Sequence, residues 1–243
     1  MAIRLDKFLT ETGIGTRSEV KKYIRQGLVT IDSVPAQKPE QKVDEKTAKV
    51  CYQGKEIAYA AYEYYLFHKP AGCVSATEDR LHKTVMDYLT DTVRNDLFPV
   101  GRLDLDTEGL LLITNDGALA HDLLSPSKHV EKTYYAKVKG RVTEDDVNRF
   151  GKGVDIGEEK PTKPAKLVIV SEGDISEIRL TITEGRFHQV KRMFEAVGKE
   201  VIYLKRLSMG SLKLDESLKC GACRPLTETE IRNLKEETGC WME

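Results

Sequence analysis

Five residues, Leu110-Leu111-Leu112-Ile113-Thr114, constrain this chain more than any other stretch. An apolar run without alternation has no polar face to turn to water, so it reads as a strand buried on both sides. It ends at Asn115-Asp116-Gly117, a turn sequence, and it follows Gly101-Arg102-Leu103-Asp104-Leu105-Asp106-Thr107-Glu108-Gly109. That loop sets glycines, a cation and carboxylates immediately before the strand. Further strand patterns lie at 62–68, stopped by Lys69-Pro70-Ala71-Gly72, and at 134–138, 165–170, 178–182, 201–207 and 212–214. Helices are expected at 84–89, at 118–124, from Thr227, and at 188–197. In the last of these, Val190, Met193, Phe194 and Val197 make one apolar face at helical spacing. The expected architecture is α+β, with a mixed, mainly antiparallel sheet flanked by helices.

The 243 residues carry 38 basic and 39 acidic side chains, which excludes a uniformly basic nucleic-acid binder. The distribution is uneven. Residues 1–59 hold eleven basic and eight acidic side chains, a net +3, against −4 for residues 60–243. Ile3, Leu5, Phe8 and Leu9 begin a helix that Gly13-Ile14-Gly15 interrupts. Thr16-Arg17-Ser18-Glu19 then fits a capping box, and Gly27 stands where a left-handed C-cap belongs, which predicts a helix over 17–26. On it Arg17, Lys21 and Arg25 stand four apart with Lys22 adjacent, while Val20 and Ile24 point inward. Residues 28–32 alternate as a strand, and 33–49 read as polar connection. No apolar run approaches a membrane span and the start lacks a leader pattern, so cytoplasmic residence is expected. An odd five cysteines imply reduced thiols.

Two short helices, a basic stripe and a strand resemble the RNA-binding domain named after ribosomal protein S4. The resemblance runs from residue 1 to about 48, through Arg4-Leu5-Asp6-Lys7-Phe8-Leu9 and residues 17–29. A small N-terminal α/β RNA-binding domain is therefore expected over 1–59, with a catalytic domain over 60–243. Arg4, Lys7, Arg17, Lys21, Lys22 and Arg25 are its candidate RNA contacts, since a rigid row of cations can track phosphates without reading bases.

No phosphate loop, dinucleotide glycine fingerprint, His-Glu-x-x-His or Gly-x-Ser-x-Gly occurs. Cys220 and Cys223 have metal-like spacing but no second pair to complete four ligands, so neither metal nor cofactor is expected. None of the five histidines is singled out. Residue chemistry alone leaves Asp104 and Asp106 equivalent as loop carboxylates.

Taken in order, Lys69-Pro70-Ala71-Gly72, Gly101-Arg102-Leu103-Asp104, Glu131-Lys132-Thr133-Tyr134 and residues 184–194 make the chain similar to the rRNA pseudouridine synthases of the RsuA-like small-subunit family. The resemblance implies that Asp104 is the catalytic aspartate, Lys191 its basic partner and Tyr134 the tyrosine that stacks on the target base. It further implies that Arg102 enters the gap left by an extruded uridine and that Leu204 lines the pocket. Isomerising uridine involves no net redox change and loses no group, which suits a site built from a carboxylate in a sequestered pocket. Lys69, Arg186, Arg192, Lys205 and Arg206 are candidate phosphate contacts, because residues 179–206 carry a local net +4.

The motifs lean toward 16S rRNA as substrate, free or in an assembling small subunit, acted on by a monomer away from membranes. Rivals are a 23S rRNA enzyme of the same chemistry and a non-catalytic ribosome-assembly factor. Neutralising Arg17, Lys21 and Arg25 together is expected to weaken RNA binding and to reduce the slope of log affinity against log salt by about 2. Filter binding across a salt series checks this, and an unchanged slope would refute the phosphate stripe.

Overall fold

A capping box starts the second helix of the chain. Glu19 accepts from the Thr16 amide at 2.8 Å, and the Glu19 amide donates to the Thr16 hydroxyl at 3.4 Å. The helix runs Arg17–Arg25, buries Val20 and Ile24, and ends before Gly27 at φ +71°. With the preceding helix, Leu5–Glu11, it encloses Leu5, Phe8, Leu9, Val29, Val43 and Val50. Strand Ala2–Arg4 pairs with Lys42–Asp44, and a small sheet orders Val34–Pro35, Val29–Ile31, Val50–Tyr52 and Lys55–Glu56. The stretch 33–49, polar in pattern, thus supplies two short strands, Val34–Pro35 and Lys42–Asp44.

This computed structural model describes residues 2–90 and 92–239. The chain divides into two units, one of residues up to Glu63 with Leu89–Leu97, the other of Tyr64–Tyr88 with residues from Phe98 onward. A sequence boundary at 59/60 does not anticipate where 89–97 packs. The reason is a buried guanidinium: Arg94, with its side chain 3% exposed, bonds Glu11 at 2.7 Å and Asp96 at 2.6 Å. Glu11 also accepts from the Tyr59 hydroxyl at 2.9 Å. A buried cation needs such partners, and only the folded chain brings them together.

The second unit is built on a nine-stranded sheet. Its main path runs Lys166–Ser171, Ile175–Ile182, Lys132–Lys139, Glu200–Met209, Glu108–Thr114, Tyr64–Lys69 and Cys223–Pro225. Phe98–Pro99 and Leu212–Lys213 pair onto Glu108–Thr114 and Glu200–Met209. One pairing, Glu108–Thr114 with Glu200–Met209, is parallel, and the others are antiparallel. The unalternating apolar strand therefore lies inside the sheet, with Leu110 through Ile113 fully buried. Leu110 and Leu112 join Leu119 and Leu123 of helix Gly117–Leu124 and Leu234 of helix Glu228–Thr238 in one core. Asp116 caps the first of these helices through the Leu119 amide at 3.0 Å, and accepts from the Tyr64 hydroxyl at 2.7 Å. Helices Glu144–Lys152 and Gln189–Glu195 bring Phe150 and Phe194 to within 4.9 Å of each other.

Three elements differ from the sequence pattern. Residues 84–89 form only a single 3₁₀ turn, Val85–Tyr88. Helix Glu144–Lys152 has no sustained apolar stripe, and its start is made by Thr143 and Asp146, whose carboxylate accepts the Thr143 amide at 2.8 Å. Cys223 belongs to an edge strand opposite Phe67. The terminal Cys240 and Trp241 lie outside the described residues. Among those described, no helix is long and apolar enough to cross a membrane.

Gly109 makes the parallel pairing with Arg206. Its φ is +106°, and a Cβ built there would overlap the Arg206 carbonyl and stand 2.6 Å from the Arg206 nitrogen. Gly109→Ala is expected to destabilise the second unit by about 1–3 kcal/mol. Denaturant unfolding checks this, and a wild-type midpoint would contradict the packing.

Candidate active site

The loop between residues 101 and 109 takes its shape from a buried ammonium. Lys69, fully buried at the end of its strand, donates through Nζ to the carbonyls of Pro70 at 3.0 Å, Asp104 at 3.0 Å, Leu105 at 3.4 Å and Thr107 at 2.9 Å. Burial pushes its pKa down, and the nearby Asp106, Asp104 and Glu108 charges oppose that shift. Three further bonds brace the loop. The Gly72 amide donates to the Leu105 carbonyl at 2.7 Å, and the Ser75 hydroxyl both donates to and accepts from the Leu103 backbone at 3.0 Å. Lys69 is thus no phosphate contact, contrary to its sequence assignment, because its ammonium is spent on carbonyls inside the fold.

The loop delivers Asp104 into a cleft while leaving Asp106 69% exposed. Lys191, on the short helix Gln189–Glu195, stands between them. Its ammonium binds Asp106 at 2.7 and 2.8 Å and lies 3.5 Å from Asp104. Burial alone would raise the Asp106 carboxyl, but the Lys191 ammonium bonded to it holds it below the usual carboxylate range. His188 precedes that helix in a left-handed conformation, φ 49°, and brings Nε2 to 3.6 Å from Asp104. Its ring stacks on Phe187, centroids 3.8 Å apart.

Two adjoining hollows share a wall made by Arg102, Leu103, Asp104, Tyr134, Gly185, Arg186 and His188. The smaller, ≈ 80 Å³, adds Thr107, Ile182, Gln189, Val190, Lys191 and Leu204. The larger, ≈ 510 Å³, adds Lys132, Arg206, Leu124 and Phe187 among others. Among the described residues, Asp104 is the one carboxylate that lines either of them. The strand pairings explain the convergence. Tyr134 lies opposite Arg206 and Leu180, and Leu204 opposite Ala136, so these side chains share one face of the sheet.

Five residues singled out from sequence, Asp104, Tyr134, Lys191, Arg102 and Leu204, therefore meet in one cleft. Arg186 also lines it but is committed to Glu184 and Glu158, each at 3.3 Å, and to the Lys160 and Pro161 carbonyls. Arg192 is held by Glu158 and the Ile156 and Phe187 carbonyls. Both arginines tie down the 156–161 loop rather than stand free for RNA. Gln189 and Glu184 fix the turn between them, the Gln189 amide donating to Glu184 at 3.0 Å and its carbonyl accepting the Arg186 amide at 2.9 Å. Arg206 is 2% exposed and lines the larger hollow from within. Lys205 lies elsewhere, in a separate hollow with His68, Arg179 and Lys213.

Sequence patterns passed over His188 and Lys132, although both stand inside the motifs that carried the resemblance. Lys132 is buried, and burial together with neighbouring Arg206 pushes its pKa down to about 8. In the first unit Arg17, Lys21, Lys22 and Arg25 are all exposed. Arg17 and Lys21 line a shallow hollow with Arg4 and Lys7. Arg4 is paired with Asp6 at 2.7 Å and Lys7 with Glu11 at 3.6 Å.

A family model described as RNA pseudouridylate synthase matches residues 63–196, and one for the S4 domain matches residues 3–48. The RNA pseudouridine synthase YtzG of Bacillus subtilis is 48% identical over 236 residues, 96% of this chain and 99% of that protein. Ribosomal small subunit pseudouridine synthase A of Vibrio cholerae is 41% identical over 233 residues, and that of Escherichia coli 40% over 234. These alignments span 96% of this chain and 99% and 100% of the relatives. A crystal structure of a pseudouridylate synthase superposes with a TM-score of 0.67 at 38% identity, covering 96% of this chain and 99% of that one.

Lys132 generates a pH signature. Its pKa is depressed in the folded state, so between about 8 and its ordinary value near 10.5 the unfolded chain binds more protons, and stability rises with pH across that window. Lys132→Met is expected to remove this component of the rise. Unfolding free energies at about pH 7.5 and about pH 10 check it, and an identical pH slope in wild type and variant would contradict the burial of the charge.

Proposed function

Since the chain belongs to the RNA pseudouridylate synthase family, we propose that it isomerises a uridine of 16S ribosomal RNA through the Asp104 carboxylate. As a pseudouridine synthase it breaks the bond from ribose C1′ to N1, turns the base, and joins C1′ to C5, while the C5 proton is replaced by one on N1. The observation that carries the assignment of Asp104 is its position as the sole carboxylate among the described residues to line the cleft, in the same wall as Tyr134 and 3.5 Å from the Lys191 ammonium. Asp106, the equal candidate by composition, instead binds Lys191 from the solvent side.

This geometry supports the roles that the resemblance implies for the other side chains. The Lys191 ammonium stands 3.5 Å from the Asp104 carboxylate, the group proposed to attack the nucleoside or remove a proton from it. Tyr134 and Leu204 border the smaller hollow, where a pyrimidine ring can lie between an aromatic and an aliphatic surface. The glycosidic bond of a stacked nucleotide is inaccessible, so the uridine must leave its stack to react. Arg102, on the cleft wall, is the side chain assigned to the space it vacates. The relatives named for the small ribosomal subunit support 16S rRNA, free or within an assembling subunit, as the substrate. The basic helix 17–25 supports RNA binding by the first unit, and a monomer working in the cytoplasm fits this role.

Asp104→Asn is expected to lower isomerisation at least about a thousandfold while RNA affinity stays within about threefold of wild type. Carbodiimide adducts read by reverse-transcription stops on 16S transcript and on partly assembled subunits measure the first, filter binding the second. Turnover by the variant at the wild-type rate would reject the assignment.

A further inference from the structure

Beside Tyr134 the sheet buries two cations that meet no carboxylate among the described residues. Arg206 is 2% exposed and Lys132 5% exposed. Arg206 lies directly across the strands from Tyr134, and Lys132 is two residues earlier on the same face. The Arg206 Nε donates to the Leu110 carbonyl at 2.7 Å, while its Nη2 is buried with no partner among the described residues. Among the described residues the Lys132 ammonium donates to the carbonyls of Val130 at 3.1 Å and Leu123 at 3.4 Å. Burial and the Arg206 charge both act against the Lys132 cation. Two like charges stripped of water, one with an idle donor, are destabilising unless an anion joins them.

Both cations line the larger hollow and neither lines the smaller one, which holds Leu204, Ile182 and Val190. Asp104 and Tyr134 stand in the wall between the two hollows. A nucleotide with its base in the smaller hollow therefore has its backbone available to the larger. We propose that Arg206 and Lys132 form a recessed oxyanion subsite that holds a phosphate of the target nucleotide on the far side of Tyr134 from its base. This rests on the assignment of the cleft to an extruded uridine. Guanidinium and ammonium donors together match a tetrahedral anion with several acceptor oxygens. Because they are buried, their attraction is screened less by salt than that of the exposed helix 17–25. The subsite would thus fix the register of the ribose against Asp104, whereas the exposed helix contributes general affinity.

Uridine and its 5′- and 3′-monophosphates are the probes, titrated onto the full-length protein by ligand-observed NMR. Wild type is expected to bind at least one monophosphate about tenfold or more tightly than uridine. Arg206→Met and Lys132→Met should each bring that preference to within about twofold of unity, with uridine affinity unchanged. Arg206→Met also removes the bond to Leu110, so Lys132→Met, checked for wild-type circular dichroism, carries the test if the arginine variant does not fold. Inorganic phosphate should displace the preferred monophosphate to the level of uridine without displacing uridine. A wild type with no preference, a folded variant that keeps it, or a monophosphate indifferent to phosphate overturns the subsite. Isomerisation of rRNA is scored separately: its absence in a wild type that retains the preference rejects the functional reading alone.

Discussion

The active-site loop is organised around the Lys69 ammonium. A lysine buried to this degree ordinarily loses its proton or finds a carboxylate, and here four backbone carbonyls take the place of its hydration shell. Three of those carbonyls belong to Asp104, Leu105 and Thr107, so one cation dictates the turn through which the chain enters its central strand. The turn in turn decides which carboxylate faces the cleft. With the backbone oxygens of this loop pulled inward, Asp104 lines the cleft with Tyr134 and Lys191, while Asp106 is exposed to solvent.

The cations of the second unit fall into distinct kinds by what they touch. Lys69 holds backbone, and Arg186 and Arg192 hold the 156–161 loop against the turn that carries His188. Lys191 is shared by two carboxylates, closely by Asp106 and at longer range by Asp104. The closer carboxylate fixes the ammonium in place, which leaves the Asp104 oxygens near a positive charge without a short bond to it. A carboxylate so placed still has its lone pairs to use. Lys132 and Arg206, by contrast, have no acidic partner among the described residues, and both line the cleft.

How legible each feature was depended on how local its cause is. The helix 17–25 was readable because Thr16 and Glu19 satisfy each other's amides within four residues, and the strand 108–114 because its apolar run admits no other environment. Helix Gly117–Leu124 likewise has its cap, Asp116, adjacent in sequence. Helix Glu144–Lys152 has a cap as local as that of helix 17–25, Thr143 with Asp146, but Val147 and Phe150 are its only apolar residues, and Phe150 packs on Phe194, 44 positions away. The placement of 89–97 depends on Arg94 meeting Glu11, 83 positions apart. The cleft members Asp104, Tyr134, Lys191, Arg102 and Leu204 were named through motif resemblance, since spacing alone did not separate Asp104 from Asp106.

By itself the sequence determined the elements whose stabilising partners are neighbours in the chain: the capped helices, the buried strand with its closing turn, the basic stripe and the set of motif residues. Tertiary structure decided the function of individual charges. Lys69 and Arg206 are drawn from the same residue types as the exposed cations of helix 17–25, yet one is a backbone anchor and the other an unsatisfied donor in a cleft. The cause is the surroundings of each charge. A lysine or arginine is a solvated contact, a structural lock or part of a ligand site according to the dielectric and the acceptors around it, and those are assembled only when distant strands pair.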